Sequence, residues 1–579
     1  MKTAKLLIVF VLILFSSVLQ ATTYYVDATG GNDSNNGKTE ATAWKTISKV
    51  IKSAKDFKPG DNILFKRGER WDKRFKVDNH PSGTSENPIT YGAYGTGEKP
   101  IINVFVEQSN INWVLKSENQ WQADIECGTR FFKNGVEMIR SVKAKDLGSN
   151  SFGTEYYYKY LGGPDGGPSI LRVYSTGNPS SDIFSWSSEI EAFMIKGANY
   201  IKLENLDIQG SSGQGALRMR VNNHWVITNC NIGWNATYGI TMRFCSDILI
   251  DNCTFDANHM VNQSESPGNF RGADDTGCDD GIYVSRGCHD ITVSNCLFKN
   301  WGHASFDAYS SKPDQPVTNV KFHHNELTTP NLIYGGRLLY QGYSEDGEYY
   351  NNYIHDIGCQ NQMTGSRNHF HHNIIDGVKN SDLKDDSGAG IMIQNNNDQT
   401  RDNIYENNII ANTGQEGIMI YSINFDRNNG DEHGNLFEGN IIRNNIIYNC
   451  GNSTNQEPSS RIGVGIQFHE DKDGQKIYNN IVENNLIFNE KSPNGTNSTP
   501  CMFQFNNERC SPEDFNTKHA DIRNNIGGDP MFVDIENGDY HLRKGSPAID
   551  AGTLPLAKKD FDGKVIPNGL STDIGIFEH

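Results

Sequence analysis

A short pattern of apolar and polar positions recurs over most of the chain. An apolar residue, or in later copies a charged one, is followed two places on by Asn, then by Asn or Cys, and then by Ile, Leu or Phe, as in Ile227-Thr-Asn229-Cys230-Asn-Ile232. The shortest steps between copies, 21 to 24 residues, match one turn of a solenoid, and the longer steps leave room for loops. The residue in the Cys230 position recurs at 206, 230, 253, 296, 325, 352, 373, 408, 445 and 485.

Each copy contains apolar runs of only a few residues, and these alternate with polar positions. This pattern predicts short strands and leaves no room for amphipathic helices. An Asn at the same bend in successive turns can hydrogen-bond to its copies above and below, and a Cys can pack in the same column as a small apolar residue. The Leu-x-x-Leu-x-Leu frame of leucine-rich repeats is absent. The chain is therefore predicted to be an all-β, right-handed parallel β-helix.

A second pattern, Gly followed by Ile, recurs in five turns, at Gly239, Gly281, Gly390, Gly417 and Gly465. If each Ile points inward, the residues one and three places later point outward onto one face, which we call the Gly-Ile face. The predicted outward positions are Thr241, Arg243, Tyr283, Ser285, Met392, Gln394, Met419, Tyr421, Gln467 and His469, and a less regular extension adds Arg218, Arg220, Asp307, Tyr309 and Arg337. The Gly-Ile face is thus predicted to be basic, aromatic and rich in amides.

The two ends of the chain depart from the repeat. Residues 1–21 combine Lys2 and Lys5 with an apolar run and a small residue at the exit, which is typical of a secretory signal peptide and predicts a secreted or periplasmic protein. Residues 22–100 are predicted to form an N-terminal cap and the first coils, with a capping helix between Thr46 and Ala54. Residues 101–525 are predicted to form the solenoid with loop insertions, and residues 526–579 an irregular C-terminal cap.

The composition limits the classes of molecule that the protein is expected to bind. The formal charge of −18 argues against nucleic acid, so an anionic ligand would require a local Arg cluster. Beyond residues 1–21 the sequence has no long apolar segment that would indicate a membrane span. We expect a monomer without an organic cofactor. Of the 11 Cys, those at 230, 253 and 296 occupy repeat positions and are predicted to be buried thiols; Cys501 and Cys510 are the first candidates for a disulfide.

These features together resemble the pectin-lyase-like superfamily of secreted β-helix proteins. The opening Tyr24-Tyr-Val-Asp-Ala-Thr-Gly-Gly-Asn-Asp-Ser34 with Trp44-Lys-Thr-Ile47 is similar to the start of many bacterial members, and the resemblance covers nearly the whole chain after residue 21. It implies the fold and, for most characterised relatives, action on polysaccharides. Lyases, hydrolases, epimerases and non-catalytic adhesins share this architecture.

The densest acidic cluster is Asp274-Asp275-Thr-Gly-Cys-Asp279-Asp280, just before the strand that starts at Gly281. The resemblance to calcium-dependent polysaccharide lyases implies that Asp274, Asp275 and Asp279 could bind Ca²⁺. Asp279 and Asp280 could instead be a paired acid and base, and a solvated acidic turn is the structural alternative. A second, weaker copy lies at Asp385-Asp386.

Part of the spacing resembles the polygalacturonase family of glycoside hydrolases. That family places an Asp pair, then Gly-His one coil on, then Arg on the next coil; here Asp279-Asp280, Gly302-His303 and Arg337 follow in that order. The family's earlier Asn-Thr-Asp element has no counterpart, and Arg337 lacks the Lys expected two residues later.

Elimination requires a cation to neutralise a uronate carboxylate and a base to remove the neighbouring proton. Arg218, Arg220, Arg243 and Arg337 could supply the charge, because Arg grips a carboxylate with two parallel hydrogen bonds. Candidate bases are His303, Tyr283, Tyr309 or an Arg held in an unusual environment. Tyr283, Tyr309 and Tyr421 could stack on sugar rings. An Arg laid along the solenoid surface is the structural alternative for each cation.

Asp307 is the one acidic residue predicted on the Gly-Ile face. Neighbouring cations are expected to lower its pKa, which suits a base, a nucleophile or a metal ligand; an ion pair that orients Arg337 or Arg243 is the structural alternative. The histidines at 323, 324, 369, 371 and 372 are interpreted as turn residues beside the repeat Asn positions.

The leading hypothesis is a secreted enzyme that cleaves an acidic, uronate-containing polysaccharide by β-elimination, with possible use of Ca²⁺. Its predicted catalytic residues are Asp307, His303, Arg337, Asp280 and Tyr283, and its predicted substrate-binding residues are Arg218, Arg220, Arg243, Tyr309, Gln394, Tyr421 and His469. Hydrolysis by an Asp pair is the second hypothesis. A non-catalytic glycan-binding or adhesive solenoid is the third.

Overall fold

The solenoid coils predicted from the repeat are present. A computed structural model of the protein describes residues 21–125, 131–140, 155–159, 170–187, 189–235, 238–257, 280–330, 335–379, 388–394, 400–421, 437–451, 464–469, 479–489, 503–505, 508–518 and 520–579. The coils contribute short strands to three long parallel sheets, here named sheets A, B and C, and successive coils hydrogen-bond in register. Sheet C ends in one antiparallel strand, Glu508–Cys510. The chain is thus an all-β parallel solenoid, as predicted.

The strands of the three sheets have the following bounds. Sheet A contains Thr23–Val26, Asn62–Lys66, Ile89–Tyr94, Ile201–Glu204, Asn223–Thr228, Ser246–Asp251, His289–Ser294, Val317–His323, Ser344–Glu345, Glu348–Tyr350, His369–His371, Ile404–Glu406, Ile441–Arg443, Ile481–Glu483 and Ile522–Arg523. Sheet B contains Arg70–Asp72, Ile101–Asn103, Asp207–Ser211, Asn231–Asn235, Thr254–Asp256, Leu297–Lys299, Glu326–Thr328, Tyr353–His355, Ile374–Asp376, Ile409–Ala411, Ile446–Tyr448, Leu486–Phe488 and Ile526–Gly527. Sheet C contains Phe75–Val77, Phe193–Ile195, Leu217–Arg220, Ile240–Arg243, Asp280–Ser285, Ala304–Ser310, Arg337–Gly342, Asn361–Met363, Ile391–Gln394, Ile418–Tyr421, Ile466–His469, Phe503–Phe505 and Glu508–Cys510.

The repeat Asn residues form the predicted ladder inside one bend of the solenoid. From Asn325 through Asn352, Asn373, Asn408 and Asn445, each side-chain Nδ2 donates to the Oδ1 of the next Asn, at 2.9–3.1 Å. The residue before each of these Asn has a φ between about 50° and 57°, a left-handed conformation that Asn adopts more readily than most residues, which explains the Asn-Asn pairs of the sequence. In the earlier coils Cys230, Cys253 and Cys296 occupy the same column as buried free thiols.

Removing one interior ladder side chain should destabilise the solenoid measurably. Asn408 accepts hydrogen bonds from the backbone and side chain of Asn373 and donates to Asn445 and to the Phe370 carbonyl. Because Asn408→Ala leaves several of these buried groups unsatisfied, we expect the free energy of unfolding to fall by about 3 kcal/mol or more. Urea denaturation checks this, with exposed Asn568→Ala as the control. Equal stability of the two variants would contradict the structural role of the ladder.

A short helix lies near the N-terminal end, within the segment Thr46 to Ala54 where the sequence predicted one. The capping helix spans Ile47–Ser53, and the side chain of Thr46 caps it by accepting a hydrogen bond from the backbone N–H of Lys49. Ile47 and Val50 are buried in the main core and cover the first coil. Short 3-10 helices lie at Glu40–Thr42 and Ala54–Asp56.

An insertion of antiparallel strands interrupts the solenoid between sheet B strand Ile101–Asn103 and sheet C strand Phe193–Ile195. Among the residues that the structure describes, nine strands, antiparallel except for one parallel pair, form two small sheets with a core of their own around Trp113, Phe131 and Phe184. These strands are Phe105–Gln108, Val114–Ser117, Gln120–Ala123, Phe131–Lys133, Val136–Glu137, Ile139–Arg140, Glu155–Lys159, Ile170–Tyr174 and Phe184–Ser187. The 3-10 helix Pro179–Ser181 lies between the last two of them. The repeat pattern of the sequence gave no indication of this unit.

The C-terminal segment covers a flank of the solenoid. The short helix Pro512–Phe515 places Phe515 in the main core near the last coils, whereas the chain from Phe532 to Phe577 packs on the outward side of sheet B. The side chains it covers there include Ile374, Ile409, Ile446 and Leu486. The C-terminal segment contains the hairpin of Phe532–Asp534 and Asp539–Leu542 and the 3-10 helix Ile535–Asn537. Elsewhere in the chain, Thr400–Arg401 and Phe437–Glu438 form a separate two-stranded sheet.

Two features of the sequence lie outside the described residues. These are the predicted signal peptide up to residue 20 and Cys501 of the candidate disulfide. Among the helices of the described residues, none has the length and hydropathy needed to cross a membrane.

Candidate active site

The outward residues of sheet C lie in two parallel rows along the Gly-Ile face, as the alternation predicted. One row runs through Arg218, Thr241, Tyr283 and Asp307, which are successive partners in register on four adjacent strands. The second row runs beside it through Arg220, Arg243, Ser285 and Tyr309. Residues 23 to 42 positions apart in the sequence therefore become neighbours, since adjacent strands are about 4.8 Å apart.

Glycine is required where these strands begin. A Cβ atom on Gly281 would lie 2.4 Å from the Ser305 carbonyl oxygen, and one on Gly239 would lie 2.4 Å from the Gly281 carbonyl oxygen. Only Gly permits this close approach of neighbouring backbones. The approach aligns Asp280, at the start of its strand, with the following coil, where the pairing of Ala304 and Phe306 with Arg337 and Leu338 contains a bulge.

Four polar side chains, which we call the Asp280 cluster, meet at this point: Asp280, His303, Asp307 and Arg337. One carboxylate oxygen of each Asp and one ring nitrogen of His303 all lie within 4.8 Å of one another. His303 Nδ1 is 2.7 Å from Asp280 Oδ1. Asp280 and Asp307 are only 3% and 5% exposed, and Asp307 Oδ1 has no hydrogen-bond partner among the described residues.

Burial, rather than the neighbouring cations, controls the acidity of these carboxyl groups. Loss of water raises the pKa of Asp280 to about 8, although the charge of Arg337 opposes the shift. Burial and the nearby Asp280 charge raise the pKa of Asp307 to about 8, against the opposing effects of His303 and Arg337. The sequence-based expectation of a lowered Asp307 pKa was wrong, because the pattern showed the Arg neighbours but not the depth of the site or the proximity of the second carboxyl group.

The two carboxyl groups have different surroundings. Asp280 is hydrogen-bonded to His303, whereas the charge of Asp280 itself disfavours ionisation of Asp307. Two such groups release their protons in two coupled steps, and the less supported group keeps its proton longer. Near neutral pH the pair therefore holds at least one proton, and Asp307, whose ionisation the Asp280 charge disfavours, is the group that keeps it longer.

Tyr283 lies beside the Asp280 cluster, as the register partner of Asp307 on the neighbouring strand. Its ring stacks on Tyr238 at a centroid distance of 5.4 Å. Burial and the charges of Asp307 and Asp280 raise the pKa of Tyr283 well above its ordinary value. The phenol therefore stays protonated, and it can donate a hydrogen bond or support a sugar ring.

The four predicted arginines occupy different environments. Arg218 contacts the fully buried Glu191 at 3.5 Å, a partner that the sequence did not reveal and that matches the structural alternative. Arg337 is buried beside the two Asp carboxyl groups. Arg220 and Arg243 are half-buried and form no ion pair with any residue that the structure describes. They are the cations on the Gly-Ile face that remain able to bind an anionic ligand.

Other predicted residues lie further along sheet C or outside the described chain. Gln394 is buried in register with Tyr421, whose strand pairs in turn with the strand of His469, so these three lie on the coils beyond Arg337. The proposed calcium ligands Asp274, Asp275 and Asp279 lie outside the described residues, as do Asp385 and Asp386. Asp280, His303 and Asp307 could hold a metal ion, although an imidazole in the set suits a transition metal better than Ca²⁺.

The histidines interpreted as turn residues fall into two groups. His324 and His372 are in turns, with φ of 56° and 54°. His323, His369 and His371 lie within strands of sheet A and project outward, so that interpretation was wrong for these three. Their spacing of two residues in His369-Phe-His371 is a strand signal that the sequence contained.

Comparisons with known proteins agree with this fold. Residues 191–345, which include the whole Asp280 cluster, match the family model described as the right handed beta helix region. A stretch of 128 residues, 22% of the chain, is 32% identical to a lacto-N-biosidase of Bifidobacterium longum subsp. longum; the match spans only 7% of that relative's length.

One solved structure extends the likeness over nearly the whole chain. The complex of XylC with xylose is similar with a TM-score of 0.56 at 12% identity, over 96% of this chain and 98% of that chain. Pectate lyase Pel9A is similar with a TM-score of 0.39 at 13% identity, over 97% and 98% of the two chains. At these identities the likeness to XylC establishes the fold alone.

Proposed function

We propose that this protein, a right-handed parallel β-helix of the pectin-lyase-like superfamily, is an enzyme that cleaves glycosidic bonds by hydrolysis with Asp307 as general acid and Asp280 as nucleophile. One observation carries the proposal: two buried carboxyl groups with raised pKa face each other beside an Arg on the outer side of the Gly-Ile strands. Pairs of carboxyl groups whose environments separate their protonation states are the usual acid and nucleophile of glycoside hydrolases.

The chemistry of each step follows from these roles. The protonated Asp307 carboxyl donates its proton to the glycosidic oxygen as the bond from that oxygen to the anomeric carbon breaks, and the Asp280 carboxylate forms a bond to the anomeric carbon. In the second step Asp307, now ionised, takes a proton from water, whose oxygen displaces Asp280. Arg337 offsets the negative charge that stays in the pair throughout, and His303 keeps Asp280 oriented.

The spacing of the two carboxyl groups favours retention of configuration. Retaining enzymes hold the groups about 5–5.5 Å apart, whereas inverting enzymes need about 6.5–9.5 Å to admit a water molecule. The facing oxygens of Asp280 and Asp307 lie within 4.8 Å of each other, closer to the retaining arrangement.

The similar proteins support a carbohydrate substrate. The matched relative is named as a lacto-N-biosidase, and the similar structures include a complex with xylose and a pectate lyase. The predicted signal peptide fits an enzyme that meets its glycan outside the cytoplasm. Binding of Ca²⁺ by Asp274, Asp275 and Asp279 stays a proposal, which activity measurements after chelation would test.

The decisive experiment is a screen of defined neutral and acidic oligosaccharides that follows the products in three ways. Hydrolysis creates new reducing ends without absorbance near the ultraviolet edge, and proton NMR of the first product should show the anomeric configuration of the substrate. Absorbance from unsaturated ends would instead establish elimination. Binding without cleavage of any glycan in the screen would establish the non-catalytic alternative.

Elimination on a uronate polymer is the second candidate, and one observation favours it. Arg220 and Arg243 are adjacent in register and form no ion pair with the described residues, so they can hold the carboxylate of an acidic sugar. The same pair would also serve a hydrolase that acts on an acidic glycan.

Arg243→Ala therefore tests whether the substrate is anionic. A hydrogen bond to a charged group contributes about 1.5–3 kcal/mol, so we expect KM for an acidic glycan to rise at least ~10-fold with little change in the melting temperature. Arg70→Ala, on an exposed strand of sheet B, is the matched control. Unchanged kinetics on every acidic substrate would remove Arg243 from substrate binding.

A further inference from the structure

A cluster of one carboxylate and two imidazoles lies on the outer side of sheet A, a different sheet from the one that carries the Asp280 cluster. Glu348 is the register partner of His369 on the next coil, and His371 follows two residues later on the same outward side. One ligand atom from each of these three residues lies within 4.8 Å of the other two. Carboxylate and imidazole groups together are typical ligands of first-row transition metals.

Each imidazole is fixed through one of its nitrogens. His369 Nε2 is 2.8 Å from Glu406 Oε1, and Glu406 is itself held by Arg443. His371 Nδ1 is 2.9 Å from His372 Nδ1, and the rings of His369 and His371 stack at 4.1 Å. Anchoring of one ring nitrogen by a second residue is how proteins orient His ligands and direct the other nitrogen to a metal.

The distance between Glu348 and His371 fits two ligands of one ion. Glu348 Oε1 is 3.5 Å from His371 Nε2, longer than the usual 2.7–3.2 Å of a hydrogen bond to nitrogen. Two ligands that each lie about 2.0–2.1 Å from a tetrahedral zinc ion stand roughly 3.3 Å apart. The pair therefore needs little movement to share a cation.

Charge and access also suit a cation. Lys321 Nζ lies 3.8 Å from Glu348 Oε2, on the oxygen that does not face His371. The Glu348 side chain is 40% exposed, which leaves a path from solvent and room for water at the remaining positions.

We propose that Glu348, His369 and His371 form a binding site for a divalent first-row transition metal ion such as Zn²⁺. The ion would join two successive coils of sheet A, since Glu348 lies on one coil and both histidines on the next. The site is independent of the proposed cleavage reaction. A hydrogen-bonded His-Glu cluster that binds no metal is the alternative.

The test uses the full-length protein after treatment with a chelator. Titration with Zn²⁺ in a calorimeter should show one ion per chain at this site, and bound Co²⁺ should give the visible absorption of nitrogen and oxygen ligands. Zn²⁺ should also raise the melting temperature, because it binds the folded chain preferentially. We expect Glu348→Gln and His369→Gln each to weaken Zn²⁺ binding at least ~10-fold and to abolish this rise.

Two controls distinguish the site from its surroundings. His323→Gln alters another outward histidine of sheet A that is not in the trio and should leave binding intact. Asp307→Asn removes a possible ligand from the Asp280 cluster, so loss of the ion in Asp307→Asn with retention in His369→Gln would place the metal there and overturn the proposal. Absence of binding to the wild-type protein would overturn it as well. Because Glu348 is partly exposed, Glu348→Gln should fold, and circular dichroism verifies this.

Discussion

Asp307→Asn should lower kcat/KM on the cleaved glycan by about 10³-fold, within the range of about 10² to 10⁴ that general acid catalysis contributes. The amide has nearly the shape of the carboxyl group but cannot give a proton to the glycosidic oxygen and later recover it from water. Asp307 carries a buried oxygen that has no hydrogen-bond partner among the described residues, so its replacement by Asn changes a reacting group with little loss of contacts. Steady-state kinetics with a defined oligosaccharide checks this.

A matched control separates the general effect of losing an Asp from the loss of the acid. Asp256→Asn changes a partly exposed Asp at the end of the sheet B strand Thr254–Asp256, on a different sheet from Asp280, and should retain full activity. A substrate with a good leaving group, such as a nitrophenyl glycoside, should recover much of the rate of Asp307→Asn, because that leaving group needs little protonation. Equal and mild effects of Asp307→Asn and Asp256→Asn would exclude Asp307 as the acid.

Asp307→Asn should also make the folded protein more stable at neutral and alkaline pH. Burial and the Asp280 charge raise the folded-state pKa of Asp307 to about 8, whereas an unfolded Asp titrates near pH ~4. Between these values the folded chain holds a proton that the unfolded chain has released. The contribution of Asp307 to stability is therefore fully present below pH ~4 and is lost as the pH rises through about 8.

Asn cannot ionise, so the variant should escape this loss. We expect Asp307→Asn and the wild type to have similar free energies of unfolding near pH 4 and to diverge by a few kcal/mol in favour of the variant near pH 8. Urea denaturation at several pH values checks this, with Asp256→Asn expected to follow the wild type. A difference that does not grow with pH would mean that Asp307 is already ionised in the folded protein. Lower activity with higher stability is the pattern expected of a strained catalytic group.

The sequence predicted those parts of the fold that depend on local pattern. Asn408 and its copies recur at fixed offsets from apolar residues, and each must adopt the same backbone conformation in every coil, so the ladder and its register could be read before the structure was known. The rows of the Gly-Ile face followed from simple alternation along each strand. The antiparallel insertion was missed because its strands share no period with the coils.

The chemistry of the site was less predictable, since it depends on depth and on contacts between coils. The pattern placed Asp307 among cations but could not show that Asp280 lies beside it or that both carboxyl groups are removed from water. It likewise placed Arg218 on the Gly-Ile face without its buried partner Glu191. The alternation of His369 and His371 one coil after Glu348 was visible in the sequence, but only the register of sheet A gives it a meaning.

The C-terminal segment on sheet B bears on how the polypeptide matures during synthesis. The apolar strip formed by Ile374, Ile409, Ile446 and Leu486 is synthesised well before residues 532–577 leave the ribosome. Until then the nascent protein exposes this apolar strip to water. Asn407 and Asn444 then secure the late-arriving tail through the carbonyl oxygens of Gly575 and Thr553. A prematurely terminated product would keep the apolar strip exposed to water and to other chains. The C-terminal segment therefore protects the protein against aggregation.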